Sequence, residues 1–305
     1  MTTTSTIKLA AGMAVTGIWL AGATCATAEG RGPGKARADE VCRTGVPDEL
    51  RVRLLAGNLP IVVGSIGGRP GINIMVDTGT SPAVLDARLA KSLGLELVPG
   101  KLQGLGGTIS TPGVWIPDVA VGPIHQRRVP GLVRDLSHLK DRFGVSVGAI
   151  VGLDFFEEAS FRLDYENRTL TFGAICAAGV AIPMNSESPF AVVNVEVGKK
   201  RLRLLVDTGA SATVLFRERV DPEMERLVMK QRAGVEGVAG RVSAVGNVPW
   251  QSLEVIVHGR ARRAQNVFLV SNAGEFQEFD GLMAVHSLGF RALAYDHETR
   301  TLYLQ

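Results

Sequence analysis

One twelve-residue pattern occurs twice in this chain and constrains its fold more than any other feature. Residues 74–85 read IMVDTGTSPAVL, and residues 204–215 read LLVDTGASATVL. In each copy, Asp-Thr-Gly follows an apolar strand and precedes a second apolar pair. A single copy would be weak evidence, because Asp-Gly-type turns end many strands. Two copies in matching frames indicate two carboxylates, Asp77 and Asp207, that meet at a pseudo-twofold axis.

The sequences around the two copies also repeat. Each copy is preceded by two β-rich runs around a polar or Gly-rich turn, which predicts a hairpin that leads into the aspartate. Each half closes with an apolar strand (AIVGL at 149–153, GLMAV at 281–285) and then with the pattern D-x-E-x-R-T-L at 164–170 and 296–302. Asp164 and Asp296 are predicted to pair with the Arg four residues on or to cap a turn, not to act as catalytic acids. The repeat predicts an internal duplication of a β-rich unit.

Two shorter features lie between these motifs. Leu85, Leu89 and Leu93 recur at helical spacing before Gly94, which predicts a short amphipathic helix with a glycine stop. Farther on, each half has a Gly-rich run, interpreted as a mobile hairpin tip because glycine permits the dihedrals of tight turns. The runs are Gly104, Leu105, Gly106, Gly107 and Gly237, Val238, Ala239, Gly240. Neither is followed by Lys-Ser or Lys-Thr, which excludes a phosphate-binding loop.

Composition excludes several classes of function. The 305 residues suffice for two domains, and 36 glycines with few aromatic residues favour a turn-rich β protein. The net charge of +3 is small, and the basic runs at 127–128 and 260–263 are interpreted as solvated strand ends, so no nucleic acid is expected as a partner. The five histidines show no zinc-ligand spacing, and no Gly-x-Ser-x-Gly elbow occurs. No metal and no cofactor are therefore expected.

The first 58 residues are predicted to lie outside the folded lobes. Residues 1–28 have the layout of a secretory signal peptide, which predicts a periplasmic or secreted protein without stable membrane insertion after cleavage. An uncleaved anchor, which would leave the protein on the membrane, is the alternative. Residues 29–58 are predicted to be a flexible leader, with order from near Leu59, and residues 174–189 a linker between the halves.

After cleavage at residue 28, two cysteines would remain, Cys42 and Cys176. An even count in an oxidising compartment permits a disulfide between them. Two unpaired thiols are an equally open interpretation, since sequence alone gives no geometry.

In this order the motifs resemble the retropepsin-like aspartic proteases of bacteria, over nearly the whole mature chain. The resemblance implies a mostly β fold of two homologous β-barrel lobes, residues 59–173 and 190–305, with a central cleft and short helices. Usual members carry one unit and dimerise. Here both units lie in one chain, which implies a monomer with an intramolecular pseudo-dimer. The implied activity is that of an aspartic endopeptidase acting on a polypeptide.

The family chemistry needs both aspartates. Two carboxylates about 3 Å apart cannot both ionise cheaply, so one keeps a proton. The resemblance implies that one carboxylate of Asp77 and Asp207 activates a water and that the other protonates the scissile carbonyl. Gly79 and Gly209 would leave room for backbone beside the carboxylates. Thr78 and Thr208 would reach across the lobe interface with their hydroxyls.

Two differences between the halves are informative. Thr80 follows the first Asp-Thr-Gly, whereas Ala210 follows the second. The Thr80 hydroxyl is expected to favour ionised Asp77, which would leave the proton on Asp207. Ala284 stands where the first half has Gly152, and this extra methyl group could weaken activity. Neither flap has the tyrosine of pepsin-like enzymes, so apolar closing contacts from Leu105 and Val238 are expected.

One rival interpretation stays open at the level of sequence. A peptide-binding protein of the cell envelope could keep the acid-protease fold with weak or no catalysis. Two intact Asp-Thr-Gly triplets argue against it, because an inactive copy need not keep its acid. The substrate and the optimum pH do not follow from the residues.

Overall fold

A computed structural model describes residues 15–18, 48–173, 175, 178–227, 232–237, 239–245, 254–264, 267–272, 274 and 276–305. Cys42, Cys176 and Val238 lie outside the described residues, as does most of the predicted signal peptide. Whether the two cysteines form a disulfide therefore stays open, and the cleavage of the signal peptide and the closing contact from Val238 stay predictions.

The chain is mostly β, as its sequence predicts. Up to residue 172 the strands are β1 (Val15–Ile18), β2 (Glu49–Arg51), β3 (Arg53–Leu55), β4 (Leu59–Ile66), β5 (Arg69–Val76), β6 (Ala83–Asp86), β7 (Leu97–Gly104), β8 (Gly107–Val121), β9 (Ile124–Arg134), β10 (Ala149–Val151), β11 (Phe161–Asp164) and β12 (Thr169–Phe172). Two helices lie among them, α1 (Ala87–Ser92) and α2 (Ser137–Phe143).

The second part of the chain adds as many strands again. They are β13 (Val180–Pro183), β14 (Val192–Val197), β15 (Lys200–Asp207), β16 (Thr213–Phe216), β17 (Arg232–Gly237), β18 (Gly240–Val245), β19 (Glu254–Val257), β20 (Arg260–Arg263), β21 (Val267–Val270), β22 (Gly281–Ala284), β23 (Ala292–Asp296) and β24 (Thr301–Leu304). A third helix is α3 (Pro222–Leu227), and 3₁₀ turns occur at Leu153–Phe156, Arg217–Arg219 and Val285–Leu288.

Three sheets organise these strands. An eight-stranded sheet, β3-β4-β5-β10-β6-β9-β8-β7, builds the first lobe. A ten-stranded sheet, β1-β17-β18-β21-β16-β22-β15-β14-β19-β20, builds the second. Its edge strand β1 lies within the predicted signal peptide and pairs with β17, so the prediction that the first 58 residues lie outside the lobes is wrong for this strand. The third sheet, β13-β24-β23-β11-β12-β2, takes strands from both halves and joins the lobes. Of the helices among the described residues, none has the length and apolar character needed to cross a membrane.

The same strand pairing recurs around both aspartates. In the first lobe, β10 lies parallel to β5 and antiparallel to β6, and β6 lies parallel to β9. In the second, β22 lies parallel to β15 and antiparallel to β16, and β16 lies parallel to β21. Near-continuous apolar sequences suit strands that are buried on both faces, as these central strands are. Asp77 follows β5 and Asp207 ends β15, so the two aspartates occupy equivalent places.

The prediction of a flexible leader is wrong for the last part of residues 29–58. Within residues 29–58, β2 pairs with β12 and β3 pairs with β4, so order begins before Leu59. The predicted linker 174–189 likewise contains β13, which pairs with β24. Both errors have one cause, because short strands are stabilised by the partners they meet in the folded chain rather than by local sequence.

The predicted short helix is confirmed as α1. Asp86 caps its start, and its carboxylate accepts hydrogen bonds from the backbone N–H groups of Arg88 and Leu89. Gly94 follows with a φ of +64°, a left-handed conformation that glycine adopts without strain. The cap fixes the chain direction immediately after β6.

The two D-x-E-x-R-T-L patterns form the β11–β12 and β23–β24 hairpins. Asp164 caps its turn by accepting from the backbone N–H of Asn167 at 2.8 Å. Its ion pair, however, is with Arg162 at 2.6 Å rather than with the arginine four residues on. Arg300 likewise pairs with Glu157 and not with Asp296. Asp296 also caps its turn, since its Oδ1 accepts from the backbone N–H of Glu298 at 3.1 Å. The expected cap is therefore confirmed for both aspartates, and only the expected arginine partners are wrong.

Candidate active site

The two Asp-Thr-Gly loops face each other across the lobe interface. Asp77 and Asp207 are both fully buried, with no exposed surface. A Cβ atom on Gly209 would lie 2.3 Å from Cγ of Asp77, and one on Gly79 would lie 2.7 Å from Cγ of Asp207. Each carboxyl group is therefore packed against the glycine of the opposite loop. The structure brings the two predicted catalytic residues to one place.

Thr78 and Thr208 tie the two loops together with reciprocal hydrogen bonds. The Thr78 hydroxyl donates to the carbonyl of Val206 at 2.7 Å, and the Thr208 hydroxyl donates to the carbonyl of Val76 at 2.7 Å. Each hydroxyl also accepts a hydrogen bond from the backbone N–H of the other threonine, at 3.0 Å for the Thr208 hydroxyl and 3.1 Å for the Thr78 hydroxyl. Four buried hydrogen bonds thus fix the distance between the lobes at the aspartates.

The hydrogen bonds to the two carboxylates differ. The Gly79 backbone N–H donates to Asp77 Oδ1 at 2.9 Å, and the Thr80 hydroxyl donates to Asp77 Oδ2 at 2.6 Å. Within the described part of the chain, neither oxygen of Asp207 has a hydrogen bond of ordinary geometry. Ala210, which stands at the place of Thr80, has no hydroxyl to donate.

The environment raises the pKa of both carboxyl groups, but to different extents. Burial raises the pKa of Asp77, and the hydrogen bond from Thr80 opposes this effect. Burial and then the neighbouring charge of Asp77 place the pKa of Asp207 well above its usual range. A buried carboxyl group beside a like charge favours its neutral form. This asymmetry favours Asp207 as the holder of the proton and Asp77 as the charged partner, within a pair that titrates as a unit.

Gly152 and Ala284 lie directly behind the two loops. A Cβ atom on Gly152 would lie 1.7 Å from the carbonyl oxygen of Thr80, so glycine is required there. Ala284 pairs with Asp207 in the register of β22 and β15, and it is fully buried. The second lobe therefore accommodates the methyl group that the first lobe excludes.

Asn58 is a residue of the site that the sequence did not indicate. It lies between β3 and β4 and is 6% exposed. Its Nδ2 donates to the carbonyl of Ala210, in the second loop, at 3.4 Å, while its Oδ1 has no hydrogen-bond partner among the described residues. Asn58 lies in the predicted leader, and no local sequence pattern indicates its contact with Ala210, 152 residues away.

Asp154 and Tyr165 are two further titratable groups that the sequence did not indicate. The Ser81 hydroxyl, one residue after Thr80, donates to Asp154 Oδ2 at 2.8 Å, and burial raises the pKa of Asp154. Burial, followed by the charges of Asp207 and Asp77, raises the pKa of Tyr165. Its phenol therefore stays neutral.

The two Gly-rich runs lie at hairpin tips, as predicted. Gly104 ends β7 and Gly107 begins β8, while Gly237 ends β17 and Gly240 begins β18. We call these tips, residues 104–107 and 237–240, the first and second flaps. Gly106 lies close to the backbone of the second flap, and a Cβ atom on Gly104 would lie 2.6 Å from Cβ of Ala239. The flaps therefore meet.

Leu105 is 2% exposed and Ala239 is 8% exposed, so the flap tips are closed down on the protein. Together with the full burial of Asp77 and Asp207, this describes a covered site. Among the described residues, no three His, Cys, Asp or Glu side chains are grouped to hold a metal ion.

Comparison with known families supports this interpretation for the first lobe. Residues 62–155 match the aspartyl protease family. The match begins in β4, ends just after β10, and includes the Asp77 loop and the first flap. This match supports a relation to aspartyl proteases and, at the level of general activity, a peptidase. The Asp207 loop lies outside the matched residues, and no curated protein matches the chain.

Proposed function

We propose that this chain is an aspartic endopeptidase that hydrolyses peptide bonds with Asp77 and Asp207 as a shared dyad. One observation carries the proposal: each carboxyl group is buried against the Asp-Thr-Gly glycine of the opposite lobe. A like-charged pair in such a place shares one proton, which is the state that acid–base hydrolysis requires. Because one chain supplies both carboxyl groups, we propose that the monomer is active.

The asymmetry of the dyad gives each residue a role. Asp77, whose ionised form the Thr80 hydroxyl stabilises, takes a proton from the attacking water. Asp207 donates its proton to the carbonyl oxygen as the tetrahedral intermediate forms. The four hydrogen bonds of Thr78 and Thr208 hold both carboxyl groups at the reacting bond. The closed flaps exclude bulk water, which strengthens the electrostatic interactions inside.

The test is cleavage of a complex peptide mixture by the purified chain, read by mass spectrometry from acid to neutral pH. We expect internal cuts that are blocked by a peptide with a secondary hydroxyl in place of the scissile carbonyl, which mimics the tetrahedral intermediate. Metal chelators and reagents specific for serine or cysteine nucleophiles should leave the cuts unchanged. Cuts that persist with the hydroxyl peptide, or that disappear with the chelator, would contradict the proposal.

Removal of the Thr80 hydroxyl should move the acid limb of the pH–rate profile to higher pH. In Thr80→Ala, Asp77 loses the hydrogen bond that lowers its pKa, so its carboxylate forms only at higher pH. The measurement is kcat/KM against pH for one peptide. Thr80→Ser keeps the hydroxyl and should keep the parental limb. If the acid limb of Thr80→Ala stays where it is in the parent, the assignment of Asp77 as the ionised member of the pair loses its support.

The second candidate function is that of a peptide-binding protein of the cell envelope. The observation that favours it is the complete cover over the dyad. Binding of the hydroxyl peptide without any cleavage would support this candidate. For either function we propose export to the periplasm or the outside of the cell, which N-terminal sequencing of protein recovered from those fractions tests.

A further inference from the structure

Asp154 holds the far end of the loop that carries Asp77. It lies in the 3₁₀ turn Leu153–Phe156, which follows β10. Its Oδ2 accepts a hydrogen bond from the Ser81 hydroxyl at 2.8 Å, and its Oδ1 accepts one from the backbone N–H of Phe155 at 3.0 Å. One carboxyl group thus connects the turn after β10 to the residue that follows Thr80.

The same strand also holds the beginning of the loop. The backbone N–H of Asp77 donates to the carbonyl of Val151, at the end of β10, at 2.9 Å, and the N–H of Thr80 donates to the carbonyl of Asp77 at 3.1 Å. Residues 77–81 are therefore attached to β10 and its turn at both ends, by the backbone at Asp77 and by a side chain at Ser81. The Thr80 hydroxyl, which donates to Asp77 Oδ2 at 2.6 Å, lies between these two attachments.

The carboxyl group of Asp154 depends on this contact for its own compensation. Within the described chain, no lysine or arginine lies within ion-pair distance of it. It lines a small cavity of about 130 Å³ together with Glu157, Glu187 and Arg300, but Arg300 pairs with Glu157 at 3.3 Å. Burial raises the pKa of Asp154, and the hydrogen bond from Ser81 is the largest effect that opposes this rise. A carboxyl group taken from water needs such a partner.

The second lobe has no carboxyl group at this place. Two residues after the position shared by Gly152 and Ala284, the second lobe has the exposed His286. Its turn is held instead by Ser287, whose hydroxyl donates to the carbonyl of Ala284 at 2.8 Å and lies 2.6 Å from the hydroxyl of Thr213. Of the two loops, the one with a threonine hydroxyl on its aspartate is therefore also the one that a carboxyl group holds.

We propose that Asp154 is a positioning residue, which holds Ser81 so that the Thr80 hydroxyl stays on Asp77. This inference rests on the proposed peptidase function, in which Asp77 is the ionised partner. Asp154 acts through two residues of the loop and is not itself a general acid or base. Because a hydrogen bond weakens as its donor and acceptor move apart, a loop released at Ser81 stabilises the charge of Asp77 less well.

The kinetic test removes the contact from either side. Ser81→Ala and Asp154→Leu should each move the acid limb of kcat/KM to higher pH and lower kcat by about tenfold, with KM little changed. The double variant should be no slower than the slower single variant, because both changes break one contact. In a Thr80→Ala background neither change should move the limb further, since the hydroxyl that they position is gone. A further shift in that background would overturn the inference.

Two controls separate positioning from charge and from packing. Asp154→Asn removes the negative charge but keeps an oxygen that can accept from Ser81, so its acid limb should not move to higher pH. Loss of a nearby negative charge alone would lower the pKa of Asp77, the opposite of the shift expected for Asp154→Leu. Ser287 is 6% exposed and Ser81 is 7% exposed, and Ser287→Ala should leave the acid limb in place. An equal upward shift in either control would overturn the inference.

Titration of the Asp77 carboxyl carbon by ¹³C NMR separates this inference from the peptidase proposal, since it requires no catalysis. Ionisation of Asp77 at higher pH in Ser81→Ala than in the parent would support the positioning role even if no peptide were cut. Asp207, which faces Asp77 from the second lobe, is the same in every variant. Cleavage by the parent with unchanged ionisation of Asp77 in Ser81→Ala would leave the peptidase and overturn the positioning role. If Asp154→Leu does not fold, Ser81→Ala decides.

Discussion

Asp77→Asn and Asp207→Asn should each lower kcat for peptide cleavage by about 10³- to 10⁴-fold. Each asparagine keeps the shape of the side chain but can no longer act as a general acid or base, and such groups typically contribute up to about 10⁴-fold. The measurement is the initial rate on the best peptide found in the mixture. Because both residues serve one site, the double variant should be no slower than the slower single variant. Asp141→Asn, at an exposed position, is the matched control.

The Asp207→Asn variant should also be more stable than the parent at neutral pH. The pKa of Asp207 is raised in the folded chain, so the unfolded chain loses this proton more readily as pH rises. The parent therefore loses stability as pH rises above the ordinary Asp value, whereas the asparagine variant does not. Thermal melts across pH should show a higher Tm for Asp207→Asn than for the parent, with a difference that shrinks toward acid pH. Full activity in Asp77→Asn or Asp207→Asn would contradict the shared dyad. A Tm difference that grows toward acid pH would contradict the raised pKa of Asp207.

Gly209→Ala should both destabilise the chain and abolish most activity. The new Cβ atom would lie 2.3 Å from Cγ of Asp77, and its oxygens would be only 2.3 and 2.6 Å away. Overpacking of this kind costs about 1–3 kcal/mol, and displacement of a reacting group by about 1 Å lowers rates by about 100-fold. Chemical denaturation and kcat measure the two effects.

Gly106→Ala is the matched control for the stability of Gly209→Ala. A Cβ atom on Gly106 would have its nearest neighbour at 3.5 Å, an ordinary contact. Its free energy of unfolding should stay within about 0.5 kcal/mol of the parent. Equal stability of the two alanine variants would show that Gly209 is not pressed against Asp77, and the described geometry would then be wrong.

The sequence predicted the centre of the site because that part repeats. Two Asp-Thr-Gly loops in matching frames placed Asp77 and Asp207 together, and the resemblance to a known family implied the reach of Thr78 and Thr208. The hairpins at the Gly-rich runs followed from local turn chemistry, which depends on a few neighbouring residues. These features are encoded within short segments, so periodicity and glycine positions reveal them.

The parts that the sequence did not predict depend on the docking of distant segments. Asn58 contacts a residue 152 positions away, and β2 and β3 are three residues long and depend on their partners. The sequence nominated Leu105 for a closing contact, but the apolar cluster that surrounds it comes from the second half of the chain. The charge pattern also suggested Arg168 and Arg300 as partners of Asp164 and Asp296, whereas the folded chain offers Asp164 a nearer arginine on its own strand.

The most direct test of the shared dyad is a titration of its carboxyl carbons by ¹³C NMR, with aspartate labelled and Asp77→Asn and Asp207→Asn used for assignment. We expect two well-separated steps, with one carboxyl group, that of Asp207 in the favoured arrangement, still protonated far above the usual Asp range. In Asp77→Asn, loss of the neighbouring charge should lower the pKa of Asp207. If both carboxyl groups instead ionise independently near the ordinary Asp value, they do not share a proton, and the proposed mechanism is wrong.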